Sequence, residues 1–293
     1  MMIDKFLNYL RFERNYSERT LRSYGDDLRS FEAYFKDFDT PLSWQSASAD
    51  VIRGWMESMM DKGNNATSIN RRLSALRSFY RFALSRGLVK KDPAHGLTGP
   101  KKSKPLPQFM KESEMEQLLD KRMWRDTYKD ACVHTIISVF YETGIRVSEL
   151  AGLDNGAVDL DGRQLKVTGK RNKQRIVPFG EELHKILRNY MDVRDSEVAK
   201  MSDAFFVTAK GKRMTDGQIR YEVKKSLARV TTMKKRSPHV LRHTFATTML
   251  NHEAGLESVK KLLGHQSLST TEIYTHTTFE QLKKAYRKAH PRA

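Results

Sequence analysis

Apolar residues recur every three or four positions in the first third of the chain, which predicts amphipathic helices. The first stripe follows Ser17, a residue type that caps helix N-termini. The second stripe ends at Gly63 and the third at Gly87, and glycine commonly terminates a helix. The stripes consist of Leu21, Tyr24, Leu28, Phe31 and Phe35, then Val51, Ile52, Trp55, Met56 and Met59, then Ile69, Leu73, Leu76, Phe79, Tyr80 and Ala83.

The second part of the chain combines helical patterns with a short region of alternating apolar and polar residues. Residues 158–160, 164–167 and 175–178 look like three short strands, with turns at 161–162 and 169–173. We therefore predict a mainly α fold with one small antiparallel β-sheet. Further helices are expected at 114–119, 128–141, 181–194, 216–230, 239–252, 256–263 and 279–288.

A stiff basic segment separates these two parts. Between Gly99 and Pro107 the chain has three prolines and three lysines, a composition that favours an extended backbone. We predict an interdomain linker over 99–110, between a helical domain of residues 1–98 and a second domain of residues 111–293. Two lobes joined by such a basic strap could close around a rod such as duplex DNA.

Composition excludes several classes of protein. The 293 residues are 39% hydrophobic and 10% aromatic, which is enough to build a core, so a wholly disordered chain is not expected. There is no run of 18 apolar residues to cross a membrane, and the first ten residues lack the apolar stretch of a signal peptide. Cys132, the single cysteine, excludes an intramolecular disulfide, and a reducing cytoplasm is the expected compartment.

The charge indicates a polyanionic partner. The net charge is +18 and the pI about 9.9, with +4 over residues 1–100 and +14 over the rest. Such values are typical of nucleic-acid-binding proteins, although ribosomal and basic membrane-surface proteins share them. The arginines of the third helix lie on its polar face, which is either solvated or follows DNA phosphates. The predicted DNA-binding residues are Arg71, Arg72, Arg77, Lys101, Lys102, Lys104, Arg171 and Lys173.

His239 and Arg242 stand three residues apart, just after a Ser-Pro dipeptide that favours a helix start. A guanidinium beside the free N–H groups of a helix N-terminus suits an anion such as phosphate. His239 and His243 are also spaced like a pair of metal ligands, but a valine replaces the glutamate of the zinc-protease helix. Surface histidines on an ordinary amphipathic helix are the third interpretation.

Four other features each have an ordinary structural explanation when taken singly. Arg146 follows a glycine-led turn at the start of a short helix, and residues 170–175 form a basic hairpin tip. His265 follows Gly264 at the end of a helix, and Tyr274 could be a half-buried aromatic. A hairpin tip of this kind is usually solvated or enters a nucleic-acid groove.

In this order, however, the arginine, hairpin lysine, His-x-x-Arg, Gly-His and late tyrosine resemble the tyrosine recombinase, or phage-integrase-like, family. The resemblance covers nearly the whole chain and is greatest to the Xer group, with residues 73–79 and the linker nearer its XerC than its XerD branch. It implies a helical SAM-like core-binding domain followed by an α+β catalytic domain.

The resemblance implies a role for each matched residue. Tyr274 would attack a DNA phosphodiester to give a 3′-phosphotyrosine and a free 5′-hydroxyl, with His239 accepting its proton. Lys170 would protonate the departing oxygen, while the other matched cations stabilise the phosphate. The implied catalytic residues are Arg146, Lys170, His239, Arg242, His265 and Tyr274, with Glu149 in support. Arg171 stands where many relatives have glycine, so the conformation of the hairpin tip is expected to differ.

Such an enzyme cuts and rejoins DNA at specific sites without metal, ATP or another cofactor. The Xer group resolves chromosome dimers at cell division, which implies double-stranded DNA with a dif-like site as substrate. It also implies a homo- or hetero-tetramer with a related recombinase, and a DNA translocase as activator. The implied location is the bacterial nucleoid in the cytoplasm, with no membrane partner.

Three alternatives remain at the level of sequence. A non-catalytic DNA-binding protein would explain the charge but not the ordered set of catalytic residue types. A type IB topoisomerase-like enzyme uses similar chemistry but relaxes supercoils without site specificity. A mobile-element integrase of the same family commonly has an additional arm-binding domain, for which the residues before Phe35 leave no room.

Overall fold

The computed structural model describes residues 2–38, 42–102, 108–169, 172–199, 201–252, 254–264 and 284–292. Its internal contacts divide the chain into two compact units, Met1–Pro105 and Leu106–Ala293. The Pro100 carbonyl accepts a hydrogen bond from Asn70 Nδ2 at 2.8 Å in the first unit, and the Met110 N–H donates to Thr244 Oγ1 at 2.9 Å in the second. The described ends of the predicted linker are therefore each attached to their own unit.

The first unit is helical, as its apolar stripes predict. Ser17 caps the second helix, its Oγ accepting from the Thr20 N–H at 3.3 Å. The stripes meet in an aromatic core in which the rings of Trp44 and Phe79 lie 4.3 Å apart, centroid to centroid. The elements are α1 (Met2–Asn8), which continues as a π-helix (Tyr9–Glu13), α2 (Glu18–Lys36), α3 (Ala49–Asp61) and α4 (Ala66–Ser85).

The second unit combines helices with a three-stranded antiparallel sheet of order β1-β2-β3, which confirms the predicted fold class. Leu165 pairs with Val158 on one side and Val177 on the other. The elements are α5 (Glu112–Leu119), α6 (Tyr128–Thr143), α7 (Val147–Ala151), β1 (Val158–Asp159), β2 (Gln164–Thr168), β3 (Gln174–Pro178), α8 (Glu181–Glu197), α9 (Asp216–Leu227), α10 (Pro238–Asn251) and α11 (Leu256–Leu263), with two short 3-10 turns at Lys121–Met123 and Asn155–Ala157.

Helix α6 is the centre of this unit. Every residue from Cys132 to Thr143 is buried, because α6 packs against both α8 and α10. A helix that is buried on all sides cannot move independently of its neighbours. It therefore provides a fixed base for the turn that follows it, which leads into α7.

Several predicted elements differ from the structure in their bounds. Helix α9 ends at Leu227 rather than at residue 230, because the chain tightens into i→i−3 turns, as in the bond from Val230 N to the Leu227 carbonyl. The helix predicted at 279–288 is helical at 284–289, and its earlier residues lie outside the described part. Tyr286 packs at 1% exposure against residues of its own unit, including Phe245.

Arg175 was predicted both as the first residue of a strand at 175–178 and as the last residue of a basic hairpin tip at 170–175, and the structure confirms the strand. It lies in β3 as an inward-facing residue, while Ile176 faces outward at 41% exposure. The reason is that polar groups inside the unit bind its guanidinium.

Within the described residues, every helix is too short or too polar to span a membrane.

Candidate active site

The turn between α6 and α7 positions Arg146. Gly144 caps α6 with a left-handed backbone at φ 59°, and a Cβ there would lie 2.5 Å from Phe245 Cδ1, so the position requires glycine. Arg146 then caps α7, and Glu149 sits three residues later. The Glu149 carboxylate accepts from the Arg146 backbone N–H and from its Nη1, both at 2.7 Å. The local sequence thus orients the Arg146 guanidinium directly.

Helix α10 positions Arg242. It begins after Ser237 with Pro238 in its first turn, as the Ser-Pro dipeptide predicts. The Arg242 guanidinium donates to the Gly144 carbonyl at 2.5 Å and to the Leu263 carbonyl at 2.7 Å. Burial, together with the positive charges of Arg146 and Arg175, lowers the pKa of Arg242 to about 10, so it remains protonated at neutral pH.

The C-terminal end of α11 joins these two arginines. Its last carbonyls have no partner within the helix and carry the negative end of the helix dipole. Arg242 Nη2 binds the Leu263 carbonyl, and Arg146 Nη2 binds the Gly264 carbonyl at 2.9 Å. Two arginines that are far apart in sequence therefore meet at one helix end.

Arg175 completes this arrangement, although the sequence analysis did not include it among the site residues. Its Nε donates to the Leu262 carbonyl at 3.0 Å, and its two terminal nitrogens donate to the two oxygens of Glu149 at 2.7 and 3.0 Å. In the sequence, the sign of such a role is that Arg175 occupies an inward-facing position of its strand while its neighbour Ile176 occupies an outward-facing position. That pattern indicates a buried charge with a specific partner.

Glu149 is a buried carboxylate, its side chain only 1% exposed. Burial alone would raise its pKa, but hydrogen bonds and charge from Arg175 and then from Arg146 outweigh burial and hold the pKa below its ordinary value. Glu149 is therefore ionised and forms the anionic centre of a cationic cluster of Arg146, Arg175 and Arg242.

His239 lies exposed in the first turn of α10, one turn before Arg242. Partial burial, followed by the charges of Arg220, His243 and Arg242, lowers the pKa of His239 from its ordinary value. The imidazole is therefore neutral at neutral pH and able to accept a proton. Among the described residues, no three His, Cys, Asp or Glu side chains are grouped as metal ligands would be.

Lys170, His265 and Tyr274 lie outside the described residues. The residues before two of them are described. A Cβ on Gly169 would lie 3.2 Å from Glu149 Oε1, and Gly264 binds Arg146 through its carbonyl. Gly169 and Gly264, which precede Lys170 and His265 in the sequence, therefore both lie beside the Arg146–Glu149 pair.

The predicted DNA-binding residues that the structure describes fall into two groups. Arg71 forms an ion pair with the buried Asp27, Arg72 Nε lies 3.7 Å from the same carboxylate, and Arg77 donates to the Leu97 carbonyl. These three guanidiniums therefore have partners within the first unit. By contrast Lys101, Lys102 and Lys173 are exposed, while Lys104 and Arg171 lie outside the described residues.

The chain thus consists of a helical unit followed by a mixed α and β unit that holds a cluster of arginines, an arrangement that suits an enzyme acting on phosphates. The family model described as "Phage integrase, N-terminal SAM-like domain" matches residues 3–87, and the model of the "Phage integrase family" matches residues 108–281. The chain belongs to the phage integrase family, and it is a site-specific tyrosine recombinase of the Xer type.

Individual relatives match over almost the whole chain. Tyrosine recombinase XerC of Chlorobaculum tepidum is 37% identical, with 99% of this chain and 94% of the relative covered. Tyrosine recombinase XerD of Oceanobacillus iheyensis is 35% identical over 99% of this chain and 98% of its own length. The solved XerH recombinase bound to palindromic difH substrate shares the fold, with a TM-score of 0.72 at 21% identity over 97% of this chain and 83% of that one.

Proposed function

We propose that this site cleaves and rejoins a DNA phosphodiester, with Tyr274 as nucleophile. The observation that carries the proposal is the meeting of Arg146 and Arg242 at the end of α11, immediately before His265. Two guanidiniums held in this way can bind the non-bridging oxygens of one phosphate. Removing one such donor typically costs about 10²–10³-fold in rate.

The proposed cleavage step needs no reactant other than the DNA and the side chains of the protein. The phenolic oxygen of Tyr274 forms a bond to phosphorus, and the bond from phosphorus to the 5′-oxygen breaks. His239 accepts the phenol proton, because its imidazole is neutral, and Lys170 donates a proton to the departing 5′-oxygen. Arg146, Arg242 and His265 stabilise the charge on the phosphate. The 3′-phosphotyrosine keeps the ester, so a 5′-hydroxyl of another strand can reverse the step and join two strands.

The proposed substrate is double-stranded DNA with a dif-like site, and the proposed role is resolution of chromosome dimers at cell division. The support is the 35 to 38% identity to XerC and XerD relatives over nearly their whole length. We further propose a tetramer of this chain, alone or with a related recombinase, activated by a DNA translocase at the bacterial nucleoid. Residues 99–110 would link a core-binding domain (1–98) to a catalytic domain (111–293), with the exposed Lys101 and Lys102 on DNA.

The experiment is covalent trapping on a nicked duplex that carries the candidate dimer-resolution site of the host. Cleavage beside the nick releases a short fragment, so the adduct accumulates and is resolved on a denaturing gel. Tyr274→Phe should bind the duplex and form no adduct. Tyr221→Phe, which changes a 62% exposed tyrosine of the same unit, should form the adduct at the wild-type rate. An adduct in Tyr274→Phe would contradict the assignment of the nucleophile.

A further inference from the structure

Arg175 connects three elements of the second unit from inside. It lies on β3 with its side chain 8% exposed, between α7 on one side and the end of α11 on the other. A buried guanidinium costs free energy unless all sides of it are bound. Its Nε and both terminal nitrogens have partners, so the position is built around this side chain.

The first partner of the Arg175 guanidinium is the Glu149 carboxylate. Each of its oxygens accepts two hydrogen bonds, one from Arg175 and one from Arg146, through the backbone N–H or Nη1. With both oxygens bound by the fork of Arg175, the carboxylate cannot rotate. The Arg146 guanidinium binds the same carboxylate and is therefore held in one orientation.

The second partner is the end of α11. Three successive carbonyls there, of Leu262, Leu263 and Gly264, accept from Arg175, Arg242 and Arg146 respectively. Gly264 packs directly on Arg175, since a Cβ at this residue would lie 3.2 Å from the Nε, Cδ and Cζ atoms. Arg175 thus also holds the end of α11, up to Gly264, in place.

We propose that Arg175 is a positioning residue for DNA cleavage: through Glu149 it fixes the Arg146 guanidinium, and through the Leu262 carbonyl it holds the end of α11, where the Gly264 carbonyl binds Arg146. This inference rests on the proposed cleavage reaction. Within the described residues, Arg175 binds Glu149 and the Leu262 carbonyl and so acts through other groups. A displacement of about 1 Å in a group that contacts the reacting atoms can cost about 100-fold in rate.

The test compares Arg175→Met and Arg175→Lys with wild type on the nicked duplex, under single turnover and with DNA in excess. We expect Arg175→Met to slow adduct formation by about 100-fold while the Kd for DNA changes by less than about threefold. Arg175→Lys keeps the positive charge but loses the two-pronged hydrogen bonding to Glu149, so its rate of adduct formation should lie between those of wild type and Arg175→Met. A loss of rate without a loss of binding distinguishes positioning from a general loss of structure.

Two controls make the result specific. Arg194→Met removes another buried arginine of the same unit, which binds Asn155, Asp195 and the Phe205 carbonyl, and should leave the rate of the folded protein unchanged. In a double-mutant cycle, Arg175→Met should slow cleavage little further in a Glu149→Gln background, because Arg175 acts largely through Glu149. Full additivity in that cycle would contradict the proposed route.

The possible failures are distinguishable. If wild type forms no adduct, the proposed function fails and this inference fails with it. If wild type forms the adduct and Arg175→Met does so within about threefold of its rate, only the role of Arg175 is overturned. If Arg175→Met is poorly folded, Arg175→Lys decides: a wild-type rate in that variant overturns the role, and a reduced rate at unchanged Kd supports it.

Discussion

Arg146 Nη2 donates to the Gly264 carbonyl at 2.9 Å, although 118 positions separate the two residues in the sequence. The bond connects the start of α7 to the end of α11. Of the five N–H groups on a guanidinium, Glu149 and Gly264 engage Nη1 and Nη2 within the described residues. Donors therefore remain on Arg146 for a phosphate oxygen without loss of the contacts that hold it.

Gly264→Ala should reduce both stability and cleavage. Gly264 has a left-handed backbone at φ 63°, and the new Cβ would lie 3.2 Å from the Arg175 side chain. The backbone alone costs about 1–2 kcal/mol for an L-residue, and the contact displaces the chain before His265. Thermal unfolding and single-turnover adduct formation measure the two effects.

The control is Gly255→Ala at the other end of the same helix. Gly255 has a φ of −57°, and a Cβ there meets no atom within 4 Å. We expect it to leave cleavage unchanged and stability the same or slightly higher. Equal effects of the two substitutions would show that the end of α11 has no special relation to the site.

Glu142 should make the stability of the second unit fall as pH rises. The side chain is fully buried, and Arg292 Nε lies 3.4 Å from its Oε1. Burial raises the pKa of Glu142 to about 8, and the attraction of Arg292 only partly offsets this. The folded state thus binds a proton that the unfolded state, with a pKa of 4.5, releases. Between these two values the free energy of unfolding should drop by about 1.4 kcal/mol per pH unit.

Denaturant unfolding from pH 5 to 8 tests this slope. Glu142→Gln, which cannot ionise, should remove most of it, whereas Glu116→Gln, at an exposed position of α5, should retain it. If wild type and Glu142→Gln show the same dependence on pH, Glu142 does not take up a proton on folding.

The local parts of the fold could be predicted from the sequence, and the contacts between distant residues could not. Ser17 and the Ser-Pro dipeptide before His239 mark helix starts that the structure confirms, since capping depends on neighbouring residues. The α7 start at Arg146 follows in the same way from Gly144. The burial of Arg175 and Glu142 depends on partners 26 or more positions away, so no local pattern announces those partners.

His239 gives the cleavage reaction a predicted dependence on pH. Its pKa is lowered from the ordinary value, because partial burial and the neighbouring cations disfavour the charged form. At limiting DNA, the rate constant for adduct formation reports the free enzyme. It should be constant near neutral pH and fall about tenfold per unit once pH drops below the pKa of His239.

His239→Gln should slow the reaction and remove the fall in rate at acidic pH. His243→Gln, one turn further along α10, should retain that fall. Both variants are measured over pH 5 to 8 on the same nicked duplex. If the rate of His239→Gln still falls at acidic pH, a group other than His239 accepts the phenol proton.

The salt dependence of DNA binding separates the two groups of predicted DNA-binding residues. Lys101 and Lys102 are exposed, whereas Arg77 donates to the Leu97 carbonyl within its own unit. Each phosphate contact that is removed lowers the slope of log K against log salt by about 0.9. Replacing both lysines by alanine should therefore reduce the slope by nearly 2. Arg77→Ala should lower the stability of the first unit and leave the slope unchanged, and a reduced slope in Arg77→Ala would mean that its guanidinium leaves Leu97 to bind a phosphate.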